Sequence, residues 1–153
     1  ITLLSLIGNF DVSLDAKGRI TFPAGLKKQL PEGGSLSFVA YKGFENCIEL
    51  YTENEWEKIQ AKLVKLSMLN PKLEKFKRLM LATSARLELD SAGRLLLPKH
   101  MISAVELKKD VMILGQIDKM EIWDKANYDA YLAANMGDLA DLASEIFGGD
   151  IEL

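Results

Sequence analysis

Two arginines, each directly after a short turn signature, are the residues of this sequence best suited to bind another molecule. Arg19 lies in the segment 14–23, LDAKGRITFP, and Arg94 lies in the segment 89–98, LDSAGRLLLP. The segments are 75 positions apart, and Leu, Asp, Gly, Arg and Pro occupy the same places in both. A guanidinium group can hydrogen-bond a guanine edge through two donors or neutralise a phosphate. The pattern therefore indicates two copies of one structural unit, each presenting an arginine.

The residues before each arginine predict a tight turn. Asp15 and Asp90 stand at the first turn position, where a carboxylate accepts hydrogen bonds from nearby backbone amides. Gly18 and Gly93 stand at the fourth position, where we expect a positive φ. Apolar and polar residues alternate on both sides of each turn, which predicts two β-hairpins with the arginines facing water. The same alternation assigns four side chains to the interior: Ile20, Phe22, Leu95 and Leu97.

The repeat extends well beyond the turn segments. Apolar strands at 36–39 and 47–51 correspond to 111–114 and 119–123, and the last pair aligns at an offset of 72. The first copy therefore has three extra residues, most simply in the loop 41–46. Helix starts follow at Thr52, Asn70 and Asp124, and 139–147 is expected to form the last helix. Each copy is thus predicted as β-β-short helix-β-β-helix-helix, with the first copy at 1–82 and the second at 83–153, together one compact α+β unit.

Composition agrees with a compact protein that does not span a membrane. The chain has 153 residues, 48% of them hydrophobic, and no apolar run approaches the roughly 20 residues of a membrane span. The segment 1–7 is apolar but short, and it lacks the basic region of a signal peptide. Cys47 is the only cysteine, so no internal disulfide can form, and we expect it to be a buried strand residue. These features favour a cytoplasmic protein.

Charge is divided unevenly between the two copies. The chain has a net charge of −3, made up of +3 in residues 1–82 and −6 in residues 83–153. This balance argues against indiscriminate coating of DNA, which needs clustered Lys and Arg, but it leaves room for a local basic surface. The basic residues between 72 and 78 fit a solvated helix face.

Catalytic and metal-binding interpretations find little support. His100 is the only histidine, so one chain cannot supply a multi-histidine metal set. The sequence has no glycine-rich phosphate loop and no Cys-x-x-Cys pair. Asp15 and Asp90 could be imagined as paired catalytic carboxylates, but the turns already explain them. We therefore predict no enzyme activity, no metal, no cofactor and no small-molecule substrate.

With two Asp-x-x-Gly-Arg segments in register, each followed by an apolar pair and a proline, the chain resembles the bacterial MraZ family over about residues 8–147. The resemblance implies a tandem AbrB-like fold with a swapped-hairpin, double-ψ-like barrel core and closing helices. It also implies a sequence-specific, nucleoid-associated transcriptional regulator, typically a repressor of the division and cell-wall gene cluster that includes its own gene. Ring-shaped homo-oligomers that bind direct repeats in promoter double-stranded DNA are implied as well.

Within this resemblance, Arg19 and Arg94 correspond to the family's DNA-contacting residues. Lys17, at the first turn, fits a phosphate contact, but the second copy has Ala92 at that position. The second turn is therefore less positive, which leaves its contribution to DNA binding open.

Two other classes of function stay open from the residues themselves. The acidic second half also fits a protein-interaction module that does not bind DNA, such as an antitoxin-like or scaffold subunit. An unrecognised enzyme is the third alternative, although no nucleophile or general base stands out.

Overall fold

The computed structural model describes residues 3–31, 36–67 and 70–148. The first copy contains β1 (Asn9–Ser13), β2 (Arg19–Thr21), α1 (Ala24–Lys27), β3 (Ser37–Lys42), β4 (Ile48–Thr52), α2 (Glu53–Ser67) and α3 (Pro71–Met80). The second contains β5 (Ala85–Glu88), β6 (Arg94–Leu96), α4 (Lys99–Ala104), β7 (Asp110–Gly115), β8 (Met120–Asp124), α5 (Lys125–Asn135) and α6 (Leu139–Phe147). Short 3₁₀ turns at Leu81–Thr83 and Met136–Asp138 precede β5 and α6. The predicted order of strands and helices in an α+β protein is confirmed.

Six strands form one antiparallel sheet in the order β1-β7-β8-β4-β3-β5, and β2 and β6 pair separately as a two-stranded ribbon. In the centre of the sheet Glu49 lies opposite Glu121, and in the ribbon Ile20 lies opposite Leu95. Both are pairs of equivalent positions in the two copies. A pseudo-twofold axis therefore passes through both pairs and relates the copies.

The predicted pairing of each turn's flanking strands is wrong. β1 pairs with β7 and β5 pairs with β3, so the first strand of each copy joins the sheet beside the other copy, and β2 pairs with β6. Only the turn ends of the predicted hairpins form: the Asp15 amide donates to the Arg19 carbonyl at 2.9 Å, and the Gly18 amide donates to the Asp15 carbonyl at 3.0 Å. Because the strands pair across the two copies, the Ile20 and Leu95 side chains are completely buried in one shared core. These ladders give a sheet with two edges and a ribbon, and they do not by themselves close a barrel.

The four side chains assigned to the interior are buried, which confirms the alternation on which they were based. Smaller clusters under α2 and α5 hold the helices to the sheet through Trp56 and Trp123. The predicted helix starts are also present, since Thr52 Oγ1 accepts from the Glu55 amide at 3.3 Å and Asp124 Oδ2 accepts from the Asn127 amide at 3.2 Å. Cys47 is buried as expected, although it lies in the β3–β4 turn just before β4 and not in the strand, and this burial raises the pKa of its thiol. Among the described helices none is long and apolar enough to cross a membrane.

Candidate nucleic-acid interface

Each aspartate organises its turn and holds the arginine that follows. Asp15 Oδ1 accepts from the backbone amides of Lys17 and Arg19, both at 2.9 Å, and Asp15 Oδ2 accepts from Arg19 Nε at 2.7 Å. Asp90 makes the same set with the amides of Ala92 and Arg94 at 2.9 Å and with Arg94 Nε at 3.1 Å. One carboxylate thus fixes both the backbone and the guanidinium of its turn.

The two glycines adopt the positive φ that the sequence predicts, 83° at Gly18 and 76° at Gly93. Hydrogen bonds from the Arg19 backbone amide and then from its side chain hold the pKa of the Asp15 carboxyl below its usual value. The pKa of Asp90 is lowered by hydrogen bonds from the backbone amides of Arg94 and Ala92 and then from the Arg94 side chain. Both aspartates are therefore anionic at neutral pH and can clamp the Nε atoms continuously. Within the described residues, the terminal amino groups of both guanidinium groups make no hydrogen bond to the protein and can serve an external acceptor.

The ribbon brings the two arginines onto one surface. Arg19 lies opposite Leu96, and Arg94 lies opposite Thr21. Opposite residues of an antiparallel pair share a face, so these four side chains stand on the outer face, with the Ile20–Leu95 pair beneath. Diagonal positions in such a ladder are about 7–8 Å apart, which is the expected separation of the two arginine Cα atoms. The arginine side chains are 26% and 37% exposed on this face.

The two turns are not equivalent, although the fold relates them. Lys17 on the first turn is exposed, and Ala92 replaces it on the second. A Cβ at Gly18 would lie 3.3 Å from Ile102 Cδ1 on α4, whereas a Cβ at Gly93 would have no neighbour within 4 Å. The first turn is thus packed against the other copy, and the second is open.

Two residues of this surface were not among the sequence-based candidates. Lys27, at the end of α1, is exposed and occupies the position equivalent to Ile102. α1 begins just beyond Phe22, whose amide donates to the Gly93 carbonyl at 3.0 Å. Lys27 therefore lies on the side of the open second turn, the place that Ile102 occupies at the first turn. Leu96, opposite Arg19 on the outer face, is 57% exposed. The alignment of the two copies makes Lys27 equivalent to Ile102 and Leu96 equivalent to Thr21. These residues reach the ribbon surface, however, only because strands of the two copies pair with each other.

Other polar groups offer less for binding or catalysis. Buried Glu49 pairs with Lys119 and accepts from Tyr51 Oη at 3.2 Å. The hydrogen bond and charge of Glu49 raise the pKa of Lys119 despite the opposing effect of burial. His100 is exposed, and its Nε2 lies 3.0 Å from the Thr83 carbonyl oxygen. Among the described residues no group of three or more His, Cys, Asp or Glu side chains could hold a metal ion.

Comparison with known proteins gives matches along almost the whole chain. Residues 6–79 and 80–148 each match the family model described as "MraZ protein, putative antitoxin-like". The protein named transcriptional regulator MraZ from Christiangramia forsetii is 36% identical over 149 residues, covering 97% of this chain and 96% of its own. The protein of the same name from Cytophaga hutchinsonii is 36% identical over 138 residues, covering 90% and 91%.

A third relative, transcriptional regulator MraZ from Flavobacterium psychrophilum, is 35% identical over 145 residues, covering 94% of this chain and 92% of its own. The solution structure of PHS018 from Pyrococcus horikoshii covers 80% of this chain and 89% of its own, with 13% identity and a TM-score of 0.33. That structural similarity is too low to support an argument about the fold.

Proposed function

The chain belongs to the MraZ family, and from this premise we propose that it is a sequence-specific DNA-binding transcriptional regulator. The family consists of transcriptional regulators, not enzymes. We further propose that it represses the division and cell-wall gene cluster that includes its own gene, as a cytoplasmic, nucleoid-associated protein. In this proposal residues 1–82 and 83–153 are the two AbrB-like repeats of one swapped-hairpin, double-ψ-like core.

The outer face of the ribbon is the observation that best supports DNA binding. A two-stranded β-ribbon fits the major groove, and arginine is the commonest side chain that reads guanine there. Arg19 and Arg94 stand on one face with their terminal amino groups available, at a separation of about two base-pair steps. Asp15 and Asp90 hold them ready, which lowers the entropy cost of binding. Lys17 adds a phosphate contact at the first turn.

Gel-shift titration against the DNA fragment directly upstream of the protein's own coding sequence tests this function. The control is a fragment of equal length and base composition with scrambled sequence. Retention of the upstream fragment at protein concentrations at least tenfold below those that retain the scrambled one supports sequence-specific binding. Equal retention of the two fragments, or retention of neither, contradicts it.

One protomer offers few positive groups to DNA, so we propose that it acts as a ring-shaped homo-oligomer on direct repeats. Rigidly joined protomers make successive contacts intramolecular, which raises avidity by ~10²–10⁴ where repeat spacing matches. The α6 helix has an exposed apolar stripe of Leu139, Leu142 and Ile146, with two acidic and no basic residues on the helix. Among the described residues, it contacts little else in its own chain beyond the preceding 3₁₀ turn.

A matching surface lies on the first copy. An apolar cavity of about 620 Å³ opens between the β3–β4 turn and the helices α2 and α3, and its lining includes Phe44, Leu63, Phe76 and Leu79. The α3 helix bears four basic residues and one acidic residue. We propose that α6 of one protomer packs against this surface of the next. Because the two surfaces differ, the contact is head-to-tail and closes into a ring when the rotation per subunit allows it.

Sedimentation velocity tests the assembly with a matched pair of variants. Ile146→Asp places a charge on the apolar stripe and is expected to release monomers. Ser144→Asp adds the same charge in the same turn of α6 but away from the stripe, and it should leave the wild-type distribution unchanged. A wild-type monomer, or an oligomer that Ile146→Asp leaves intact, contradicts this interface.

The alternative function is a protein-interaction module that does not bind DNA. The antitoxin-like description of the family model and the exposed apolar stripe of α6 favour it. A ring that assembles normally but fails the gel-shift test would support this alternative over the proposed regulator.

A further inference from the structure

The outer face of the ribbon is chemically asymmetric, and its asymmetry centres on Leu96. The pseudo-twofold axis relates Leu96 to Thr21, each standing opposite the arginine of the other copy. One end of the face therefore presents arginine beside leucine, and the other presents arginine beside threonine. A symmetric ribbon would present the same side chains to both ends of a DNA site, whereas this ribbon presents different side chains to each end.

Leu96 is an apolar side chain on the outer face of the ribbon. Its neighbours Leu95 and Leu97 are 0% and 2% exposed in the core, whereas Leu96 is 57% exposed. Hydrogen bonds join Gly18 to Leu97 and Gly93 to Phe22, so the Arg19–Leu96 pair between them is of the non-hydrogen-bonded type. Side chains approach most closely in such pairs, so the Leu96 side chain stands next to that of Arg19 on the outer face.

We propose that Leu96 contacts the 5-methyl group of a thymine beside the base pair that Arg19 reads. This inference rests on the proposed DNA-binding function. In the major groove thymine is the only base that presents a methyl group, and apolar side chains recognise it by contact. The ribbon thus recognises a non-palindromic element, with an apolar contact at the Arg19 end and a hydroxyl from Thr21 at the Arg94 end.

The test uses a duplex that the full-length wild-type protein enriches from a random-sequence pool. Each thymine of the duplex is replaced in turn by deoxyuracil, which removes only the methyl group. For the wild-type protein, one such replacement per recognised element is expected to weaken binding about fourfold, the effect of one apolar group returned to water. Leu96→Ser should bind the thymine and uracil duplexes equally at that position. The matched variant Leu3→Ser, at an exposed leucine outside the ribbon, should keep the wild-type difference.

Each outcome of the series has a separate meaning. If no uracil replacement weakens wild-type binding, or if Leu96→Ser keeps the wild-type difference, the methyl contact is overturned while sequence-specific binding stands. If the pool yields no enriched duplex, the proposed DNA-binding function itself fails. Leu96→Gln provides a second polar variant should Leu96→Ser prove unfolded by circular dichroism, and it is expected to remove the methyl effect in the same way.

Discussion

Replacing both interface arginines by lysine separates base reading from simple charge. Lysine keeps the positive charge but has neither the planar fork nor the Nε donor, so it cannot form the clamps that join Arg19 to Asp15 and Arg94 to Asp90. Removing a bidentate hydrogen-bonded pair with a base costs about 1–3 kcal/mol, or roughly fivefold to 150-fold in affinity per arginine. The two effects should add in free energy because the arginines stand about 7–8 Å apart and are proposed to bind separate base pairs.

The assay is a set of binding titrations over a salt series, with the upstream DNA fragment and its scrambled control. Because the charge is retained, the slope of log affinity against log salt should stay at its wild-type value. An alanine at either position should instead reduce the magnitude of this slope by about 0.9 for each phosphate that the protein no longer neutralises. Both partners in these clamps are at the surface, so thermal stability should change little.

Arg86→Lys provides the matched control. Arg86 Nε donates to Glu53 Oε1 at 2.9 Å, the same kind of clamp, but it lies on β5 and away from the ribbon. It should leave specific binding unchanged. Wild-type affinity in the double lysine variant, or an equal weakening on upstream and scrambled DNA, would refute the assignment of base contacts to Arg19 and Arg94.

Three further predictions concern the two turns and their surroundings. Gly18→Ala should lower the melting temperature more than Gly93→Ala. Both substitutions strain a positive φ by about 1–2 kcal/mol, but only the first also crowds α4. Equal decreases in the melting temperatures of the two variants would contradict the packing of the first turn. Carboxyl NMR should show both turn aspartates titrating below the usual pKa of about 3.9. Since their folded pKa values are lowered, their contribution to stability is complete above about pH 4 and is lost as pH falls through the folded pKa values. Titration of either aspartate at or above about 3.9 would exclude the clamps. Lys27→Ala should reduce the magnitude of the salt slope of DNA binding by about 0.9, because one phosphate at the second turn is no longer neutralised. Lys108→Ala, at another exposed lysine, should leave the slope unchanged. An unchanged slope for Lys27→Ala would remove Lys27 from the interface.

The order of elements could be predicted because the repeat states it twice. A turn that is ambiguous in one copy is supported by its equivalent. The predicted position of the three extra residues is wrong, however, because Phe38 is equivalent to Val111 in the sheet, an offset of 73. Only one extra residue therefore lies in the β3–β4 turn, and the other two precede β3. The inward side chains follow from alternation alone, since Ile20 and Leu95 keep the same face whichever strand lies beside them. This is why the buried residues were correct although the pairing was wrong.

Alternation alone could not predict the pairing between the copies, and only the swapped-hairpin fold implied by the resemblance pointed to it. Alternation specifies which side chains a strand buries, but it does not distinguish a partner in the same copy from the equivalent partner in the other. A local hairpin is the simpler expectation because its loop closes over few residues. In the structure, exchange between copies instead lets Gly18 and Gly93 accept the Leu97 and Phe22 amides. Lys27 and Leu96 were missed because their place at the interface exists only through this exchange.

A tandem repeat within one chain can diverge where a homodimer of identical halves cannot. In a homodimer the positions of Thr21 and Leu96 would hold the same residue, and the ribbon would be bound to read a palindrome. Here the two positions differ, and so do the pairs Lys17–Ala92 and Lys27–Ile102. In the proposed DNA complex each protomer accordingly has a direction along the DNA. The proposed head-to-tail ring would repeat that direction from subunit to subunit, so we expect it to bind its target elements as direct repeats.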